Sequence, residues 1–269
     1  MIKNDDSKIY WEKLALNQKD VLLCSRALLE DTPEPIQKYV LNFEKEVSKF
    51  SFDGSLGKIL DAGCGTSNLY VHCYKKLLKS DISYIGLDLS INMLIRGLNQ
   101  TIDLNVNFCQ ATVARLPFKD FTFDRIICSG VLNYLENKDV ERTIKDFFRT
   151  LKPEGILIID FHPNAFSPKI FLRSYLNKVF KIFKTDRYRY NFYVFKNLLI
   201  KSGFEIIAVK GFDFRPLSGN QSYKTPLRYL NPFYIQETFS ASLEGMQERI
   251  PFISIFACRI YFKCKKNDF

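Results

Sequence analysis

Two glycines and two carboxylates in the first half of the chain have the spacing of a nucleoside-cofactor site. Gly63 and Gly65 follow a short apolar run, Asp61 precedes them, and Asp88 ends the next apolar run. A glycine turn that opens a helix lets backbone N–H groups approach a ligand closely. An acid at the end of the second strand can accept hydrogen bonds from both hydroxyls of a ribose. Asp88 therefore suits any adenosine cofactor and does not choose between them.

The glycine run departs from the dinucleotide fingerprint G-x-G-x-x-G, because Asn68 stands where the third glycine would be. Asp61 would also be unfavourable beside a pyrophosphate. The same carboxylate is well placed for a cationic amino group, directly or through water. These residues argue against a nicotinamide-dependent oxidoreductase.

Short apolar segments alternate with helical patterns on both sides of this loop. The sequence predicts strands at 59–61, 84–88, 106–110, 125–129, 155–161, 204–210 and 253–263. It predicts helices at 68–79, 91–99, 140–151, 169–183 and 191–201, after a helix that starts at Thr32. Such alternation is typical of a parallel sheet with helices on both faces, whose ligands bind at the carboxyl ends of the strands.

The charge of the chain is strongly positive and unevenly distributed. Its 269 residues carry a formal net charge of +10, and the segment from Lys169 to Lys201 is rich in lysine, arginine and aromatic residues. Three interpretations of this segment stay open. It is a cap helix with a solvated face, a surface that holds an anionic or lipid-linked substrate at a membrane, or an RNA-binding element.

The seven cysteines form no C-x-x-C pair, and the N-terminus lacks the apolar core of a signal peptide. We expect reduced thiols and a cytoplasmic location. The two histidines, His72 and His162, are not spaced as metal ligands, so no metal site is expected.

Five segments, in order and at matching intervals, resemble the class I S-adenosylmethionine-dependent methyltransferases, in particular their small-molecule branch. They are DAGCG at 61–65, YIGLDLS at 84–90, LPF at 116–118 with FD at 123–124, VLNY at 131–134, and LKPEG at 151–155. The resemblance implies S-adenosyl-L-methionine as cofactor and S-adenosyl-L-homocysteine as product. It also implies a Rossmann-like, doubly wound α/β fold with a seven-stranded sheet, mostly parallel with the last strand antiparallel, N-terminal helices and a cap insertion.

The resemblance divides the chain into three regions. Residues 1–50 would form an N-terminal helical lid, and residues 51–168 the cofactor-binding α/β core. Residues 169–269 would complete the sheet and add the basic helical cap, together with an inserted segment at 211–250. Tyr10 and Trp11 would either cover the cofactor as part of the lid or simply pack against the core.

The resemblance also implies a set of site residues. Cofactor contacts are expected from Asp61, Gly63, Cys64, Gly65, Asn68, Asp88, Leu89, Thr112, Val113 and Ser129. Gln110 is the alternative to Thr112 for hydrogen bonding to the adenine, and Ile91 is the alternative to Leu89 for packing on it. Ser90 is expected to cap the following helix.

Three residues are candidates for contact with the reacting groups. Asn133 and Tyr134 follow the fourth strand, and His162 ends the fifth. His162 would be a general base for a hydroxyl acceptor, or a loop histidine with a structural hydrogen bond.

The function predicted from these residues is in-line transfer of a methyl group to an oxygen or nitrogen atom of a small molecule. An anionic or aromatic acceptor is expected, such as a natural-product, lipid-linked or saccharide intermediate. The alternatives are methylation of RNA or protein, and a non-catalytic S-adenosylmethionine-binding protein. The segment NPFY at 231–234 imitates a nucleic-acid amino-methylation motif, but that motif belongs after the fourth strand.

Overall fold

The computed structural model of the chain describes residues 4–17, 34–52, 57–74, 82–101, 106–171, 174–175, 190–214 and 233–267. The predicted helix start at Thr32 lies outside these ranges, as do residues 172–173 and 176–189 of the basic segment 169–201. Within that segment, residues 169–171 and 174–175 are helical.

A single mixed sheet of seven strands organises the described part of the chain. The strands are β1 Lys58–Ala62, β2 Ser83–Asp88, β3 Val106–Gln110, β4 Phe123–Cys128, β5 Leu151–Phe161, β6 Phe204–Phe212 and β7 Arg259–Lys266. Their order is β3-β2-β1-β4-β5-β7-β6, with β1 to β5 parallel and β7 antiparallel to both of its neighbours. The predicted fold class is confirmed. The strand order reverses between β1 and β4, where open α/β sheets form their ligand crevice.

Helices lie on both faces of this sheet. They are α1 Asn4–Asn17, α2 Glu34–Phe52, α3 Ile91–Gln100, α4 Asn137–Thr150, α5 Phe192–Lys201 and α6 Phe233–Met246. Leu132–Tyr134 and Pro251–Phe256 are short 3₁₀ segments, and Leu69–Tyr74 is a π-helical segment where an α-helix was predicted from 68 to 79. None of the described helices combines the length and hydropathy needed to cross a membrane.

Consecutive residues of the central strands supply two separate apolar layers. Leu60 and Ile126 belong to one layer, whereas their chain neighbours Ile59 and Ile127 belong to the other. All four side chains are fully buried. Successive side chains of a strand point to opposite faces, so a strand covered on both sides reads as a continuous apolar run. This explains why the short apolar runs of the sequence predicted the central strands.

The prediction of a strand from 253 to 263 is wrong in its first half. Alternation of Ile253 and Ile255 resembles a strand, but the 3₁₀ segment that begins at Pro251 occupies this position. Ser254 Oγ donates to Gln247 Oε1 at 2.9 Å, which ties the segment to the end of α6. The last strand starts only at Arg259, and this shift brings that residue to the carboxyl edge of the sheet.

The segment 211–250, predicted as an insertion, also carries part of the regular fold. Strand β6 continues to Phe212, two residues into it, and α6 occupies Phe233–Met246. Residues 215–232 lie outside the described ranges. The NPFY segment overlaps the described chain only at the start of α6, far from the end of β4 in the sequence.

Candidate active site

A cavity of ≈ 200 Å³ opens at the carboxyl ends of the parallel strands. Residues that follow β1, β2, β3, β4 and β5 all reach its wall, and α1 and β7 each add one side chain. Nine of the residues predicted for cofactor or acceptor contact line it: Gly63, Gly65, Asp88, Leu89, Thr112, Val113, Ser129, Tyr134 and His162. The topology therefore gathers into one site residues that are far apart in the chain.

The glycine loop is held rigidly against the end of β2. The backbone N–H groups of Gly63 and Cys64 both donate to the carbonyl oxygen of Leu87, at 2.7 and 3.0 Å. Gly63 and Gly65 have φ angles of +81° and +53°, which side-chain-bearing residues rarely adopt. A Cβ on Gly63 would lie 2.2 Å from a methyl carbon of Val131, whereas a Cβ on Gly65 would meet nothing within 4 Å. Gly63 thus serves packing, and Gly65 presents bare backbone to the cavity.

Asp88 joins this loop to the following helix. Its Oδ2 accepts from the backbone N–H of Gly65 and its Oδ1 from that of Ser90, both at 2.9 Å. The backbone N–H of Leu89 also acts on this carboxylate, and since a carboxylate has about four acceptor positions, acceptor capacity remains for a ligand. Burial raises the pKa of Asp88 and the charge of Glu12 adds to the rise, while the backbone N–H groups act in the opposite direction. Two acceptors side by side match the two hydroxyls of a ribose.

The N-terminus of α3 is capped twice. Ser90 Oγ accepts from the backbone N–H of Met93 at 3.2 Å, which confirms the predicted cap. Glu12 of α1 accepts from the Ser90 hydroxyl and from the backbone N–H groups of Ile91 and Asn92, at 2.9 to 3.1 Å. One carboxylate therefore fastens α1 to the helix that follows Asp88.

Trp11, the neighbour of Glu12, covers part of the cavity. Its ring meets the Tyr134 ring edge to face at 5.5 Å between centroids, and Tyr10 packs against it at 5.2 Å. Trp11 and Tyr134 both line the cavity. The structure thus places one side chain of α1 in the cavity wall, and the role of residues 1–50 as a lid stays a prediction.

At the end of the cavity near β3, the geometry separates the alternatives that were predicted for contact with the adenine. Thr112 and Val113 line the wall. Gln110 is exposed, and its side-chain amide donates to the carbonyl oxygen of Leu89 at 3.3 Å. Leu89 also lines the cavity, whereas Ile91 is 43% exposed. The geometry brings Thr112 and Leu89 to the site in place of their alternatives.

Four predicted site residues do not line the cavity. Asp61 is buried behind the loop and accepts from the Tyr84 hydroxyl at 2.6 Å. Asn68 is also buried, and its Oδ1 accepts from the hydroxyl of Thr66 at 3.1 Å. Cys64 is buried as well, and Asn133 does not reach the wall that its neighbour Tyr134 lines. Burial raises the pKa of the Cys64 thiol, and the charges of the Asp61 and Asp88 carboxylates add to the rise.

A buried charge network closes the other end of the cavity. Arg259 Nε donates to Asp160 Oδ2 at 2.5 Å, and Arg259 Nη2 donates to Ser129 Oγ at 3.2 Å. Asp160 Oδ1 accepts from the backbone N–H of Gly130 at 2.6 Å. His162 Nδ1 lies 3.3 Å from Asp160 Oδ2, a distance at which the protonated Nδ1 donates to the carboxylate. Asp160 thereby orients both an arginine and a histidine of the cavity wall.

Both partners of this ion pair stay charged over the physiological pH range. Burial alone would raise the pKa of Asp160, but the Arg259 charge, His162 and the Gly130 N–H outweigh it and lower the pKa to about 2. Burial would lower the pKa of Arg259, and the Asp160 charge reverses that effect and raises it. The imidazole of His162 therefore always faces a carboxylate.

Sequence reasoning missed part of the wall and the group behind it. The missed lining residues are Met93, Ala111, Gly130, Val131, Leu135 and Arg259. Most of these residues lie next to a predicted residue in the sequence, or about one helical turn from one. Arg259 carried one usable signal, because it is a cation directly before the apolar run 260–262. Asp160 carried another, since an acid that ends a buried strand needs a partner.

Comparison with known proteins agrees with this geometry. A family described as methyltransferase domain matches residues 59–155. The ubiquinone/menaquinone biosynthesis C-methyltransferase UbiE of Pasteurella multocida is 31% identical over 166 residues, which are 60% of this chain and 54% of that protein. The chain spans about half the length of the curated relatives it matches.

Two solved structures share the fold over nearly the whole chain. Magnesium protoporphyrin IX methyltransferase of Synechocystis PCC 6803, solved with bound S-adenosylhomocysteine, has a TM-score of 0.61 at 16% identity and covers 97% of this chain and 98% of its own. The [4+2]-cyclase SpnF has a TM-score of 0.58 at 16% identity, with coverages of 97% and 95%. At such identities the likeness establishes the fold and leaves the reaction open.

The matched residues, the strand order and the site define one class of protein. Residues 59–155 match a methyltransferase domain, and the named relatives and the strand order support the class I S-adenosylmethionine-dependent methyltransferases as the family of this part of the chain. For this domain, the comparisons support the family predicted from the sequence and the cofactor that defines the family.

Proposed function

We propose that this protein binds S-adenosyl-L-methionine in the cavity and transfers its methyl group to a small molecule. The observation that carries the proposal is the continuity of the cavity. One space extends from the Gly65–Asp88 pair, suited to a nucleoside, to Tyr134 and His162, suited to an acceptor. A methyltransferase requires both functions within one enclosure.

The residues at the first end fit the cofactor. Asp88 keeps acceptor capacity for the ribose hydroxyls, and Gly65 leaves its Cβ direction open. Leu89 and Val113 offer apolar contact for an adenine, and the Thr112 hydroxyl can hydrogen-bond to its edge. When bound, the cofactor supplies an electrophilic methyl group on a positively charged sulfur.

The residues at the second end position the acceptor and manage its proton. Because Asp160 accepts from Nδ1, it favours the tautomer in which Nε2 of His162 carries the lone pair. His162 would then take the proton that a hydroxyl or amine acceptor releases. Alignment of the reacting atoms supplies several kcal/mol of barrier reduction, and the base contributes about 10²–10⁴-fold more.

The aromatic rings in the cavity wall favour a small molecule as the acceptor. Trp11 and Tyr134 meet edge to face above the cavity, which narrows the access of a folded protein or duplex RNA. Their rings also favour an aromatic or otherwise apolar acceptor body. The sequence predicted oxygen or nitrogen as the acceptor atom. Because one relative is named as a C-methyltransferase, we include carbon as a third candidate acceptor atom. Contact of the basic segment 169–201 with an anionic membrane surface stays a prediction.

Transfer to defined acceptor classes tests the proposal. The protein would be incubated with S-adenosylmethionine deuterated in its methyl group and with pools of phenols, carboxylic acids, amines, activated carbon acids, tRNA and peptides. The expected result is a labelled small-molecule product and matching S-adenosylhomocysteine, both reduced in the Asp88→Ala variant. Label in tRNA or in peptide would contradict the proposal and would support methylation of RNA or of protein instead. Tight cofactor binding without product in any pool would favour a non-catalytic binder.

A further inference from the structure

Arg259 lies at the opposite end of the cavity from Asp88. Asp88 ends β2 and Arg259 begins β7, and three strands (β1, β4 and β5) separate them in the sheet. Neighbouring strands are about 4.8 Å apart, so the two backbones are separated by roughly 19 Å. Arg259 therefore belongs to the half of the cavity that also holds His162 and Tyr134.

Four side chains hold the guanidinium of Arg259 in place. Nε is held by Asp160 at 2.5 Å and Nη2 by Ser129 at 3.2 Å. The rings of Phe43 and Tyr261 lie 5.0 and 5.2 Å from its central carbon. The side chain is only 14% exposed. A planar cation whose orientation is set in this way can bind a ligand with little further loss of entropy.

Part of the hydrogen-bonding capacity of Arg259 is unused. A guanidinium has five N–H groups, and two of them bond to Asp160 and Ser129. Among the residues that the structure describes, Nη1 has no acceptor within hydrogen-bonding distance. Because Arg259 lines the cavity, the remaining N–H groups of Nη1 and Nη2 are the donors that it can offer to a ligand there. Two parallel N–H groups of this kind match a carboxylate or phosphate.

The carboxylate of Asp160 is occupied by protein partners. Its two oxygens already serve Gly130, Arg259 and His162. Arg259 and Asp160 together carry no net charge, and a proton taken up by His162 would make the group positive. An anion bound to Arg259 would then restore neutrality and favour the proton uptake by His162.

We propose that Arg259 is the specificity residue for a methyl acceptor that carries a carboxylate or phosphate group. The proposal rests on the function proposed above. Asp160 and Ser129 position the guanidinium, the anionic group of the acceptor binds its terminal N–H groups, and the nucleophile lies beside His162. A neutral molecule of the same shape leaves those N–H groups without a partner and is rejected.

Small probes test this without knowledge of the natural acceptor. The protein loaded with S-adenosylhomocysteine would be titrated with benzoate, with phenyl phosphate and with neutral benzamide, followed by ligand-observed NMR. The unaltered protein is expected to bind at least one of the anions tenfold or more tightly than benzamide. Arg259→Gln should abolish the preference, and Arg259→Lys, which keeps the charge but not the paired N–H groups, should reduce it. Equal binding of anions and benzamide by the unaltered protein would overturn the proposal.

A second experiment distinguishes an acceptor contact of Arg259 from a cofactor contact. The cofactor also has a carboxylate, so S-adenosylhomocysteine and 5′-methylthioadenosine, which lacks the amino-acid part, are compared on the Arg259→Gln variant. If Arg259→Gln weakens the binding of S-adenosylhomocysteine but not that of 5′-methylthioadenosine, Arg259 contacts the cofactor and the proposal is overturned. Equal affinities of the variant and the unaltered protein for both ligands are expected.

Lys210→Gln is the control for the loss of a positive charge. It removes a cation that stacks on Phe212 and pairs with Glu46. Its probe affinities should match those of the unaltered protein. Failure of the unaltered protein to bind S-adenosylhomocysteine would count against the cofactor proposal, and the probes would then be tested on the protein alone, where the same preference for anions is expected.

Discussion

The backbone N–H of Gly65 donates a hydrogen bond to Oδ2 of Asp88 at 2.9 Å. The glycine loop after β1 and the acid at the end of β2 are thus one unit, although 23 residues separate them in the chain. The bonds from Gly63 and Cys64 to Leu87 fix the same loop to the same strand. Ligand contact and loop conformation are coupled in this unit, and substitutions can separate the two effects.

Alanine at Gly63 and at Gly65 should have different consequences. Gly63→Ala places a methyl group 2.2 Å from Val131 on a backbone with φ of +81°, so it should lower the free energy of unfolding by about 1–3 kcal/mol. Gly65→Ala adds only backbone strain of about 1 kcal/mol, but its methyl would occupy open space at a residue that lines the cavity. We expect it to weaken S-adenosylhomocysteine binding at least tenfold. Urea unfolding and calorimetric titration measure the two effects.

A double variant is the control for the packing argument. Gly63→Ala combined with Val131→Ala removes the contacted methyl and should recover part of the lost stability. If Gly65→Ala bound the cofactor as tightly as the unaltered protein, the loop would not contact the ligand.

Removal of the Glu12 carboxylate should loosen the attachment of α1 to the start of α3. Glu12→Ala deletes three hydrogen bonds between α1 and the start of α3. We expect faster release of S-adenosylhomocysteine in stopped-flow experiments and faster amide hydrogen exchange in residues 4–17. The core should keep its stability because Ser90 continues to cap α3. The exposed neighbour Lys13 provides the matched control, Lys13→Ala. Unchanged release and exchange in Glu12→Ala would show that α1 is held by other contacts.

The site was predictable where it depends on residues close in sequence to a strand end. Gly65, Asp88 and Ser90 follow directly from local patterns, because a turn and a helix cap are determined over a few residues. Arg259 was not predictable in this way. Its position depends on the antiparallel insertion of β7 beside β5, and the alternating isoleucines before it imitate a strand that the fold does not form. Asp160 was missed because its role is to support two other side chains.

The Asp160–Arg259 pair should make stability depend on acid pH. The pKa of Asp160 is about 2 in the folded protein and near 3.8 in an unfolded chain. A group with a lowered folded pKa contributes stability above its unfolded pKa, and this contribution is lost as the pH falls through the folded value. We expect roughly 2 kcal/mol to disappear between about pH 4 and pH 2. Asp160→Asn should be less stable at neutral pH, because Arg259 loses its counter-ion.

Urea unfolding of both proteins at several pH values checks this prediction. The difference in unfolding free energy between the unaltered protein and Asp160→Asn should shrink from about pH 5 to about pH 2. A difference that stays constant over this range would mean that Asp160 does not titrate as a paired carboxylate.

His162→Gln should separate catalysis from cofactor binding. Glutamine retains a hydrogen-bonding side chain but cannot take up a proton. We expect kcat for a hydroxyl acceptor to fall by about 10²–10⁴-fold while the affinity for S-adenosylhomocysteine is unchanged. The pH–rate profile should also lose the limb that reports the base. A variant that loses cofactor affinity in parallel with kcat would indicate a structural histidine.

Calorimetric titration with S-adenosylmethionine, S-adenosylhomocysteine and NAD, on the unaltered protein and on Asp88→Ala, tests the central claim most directly. We predict micromolar binding of the first two ligands and none of NAD. We also predict a loss of at least tenfold in Asp88→Ala, because hydrogen bonds to charged groups contribute about 1.5–3 kcal/mol each. The exposed carboxylate of Asp120 supplies the matched control, Asp120→Ala, with unchanged affinity. Binding of NAD alone, or full affinity in Asp88→Ala, would contradict the assignment of this cavity.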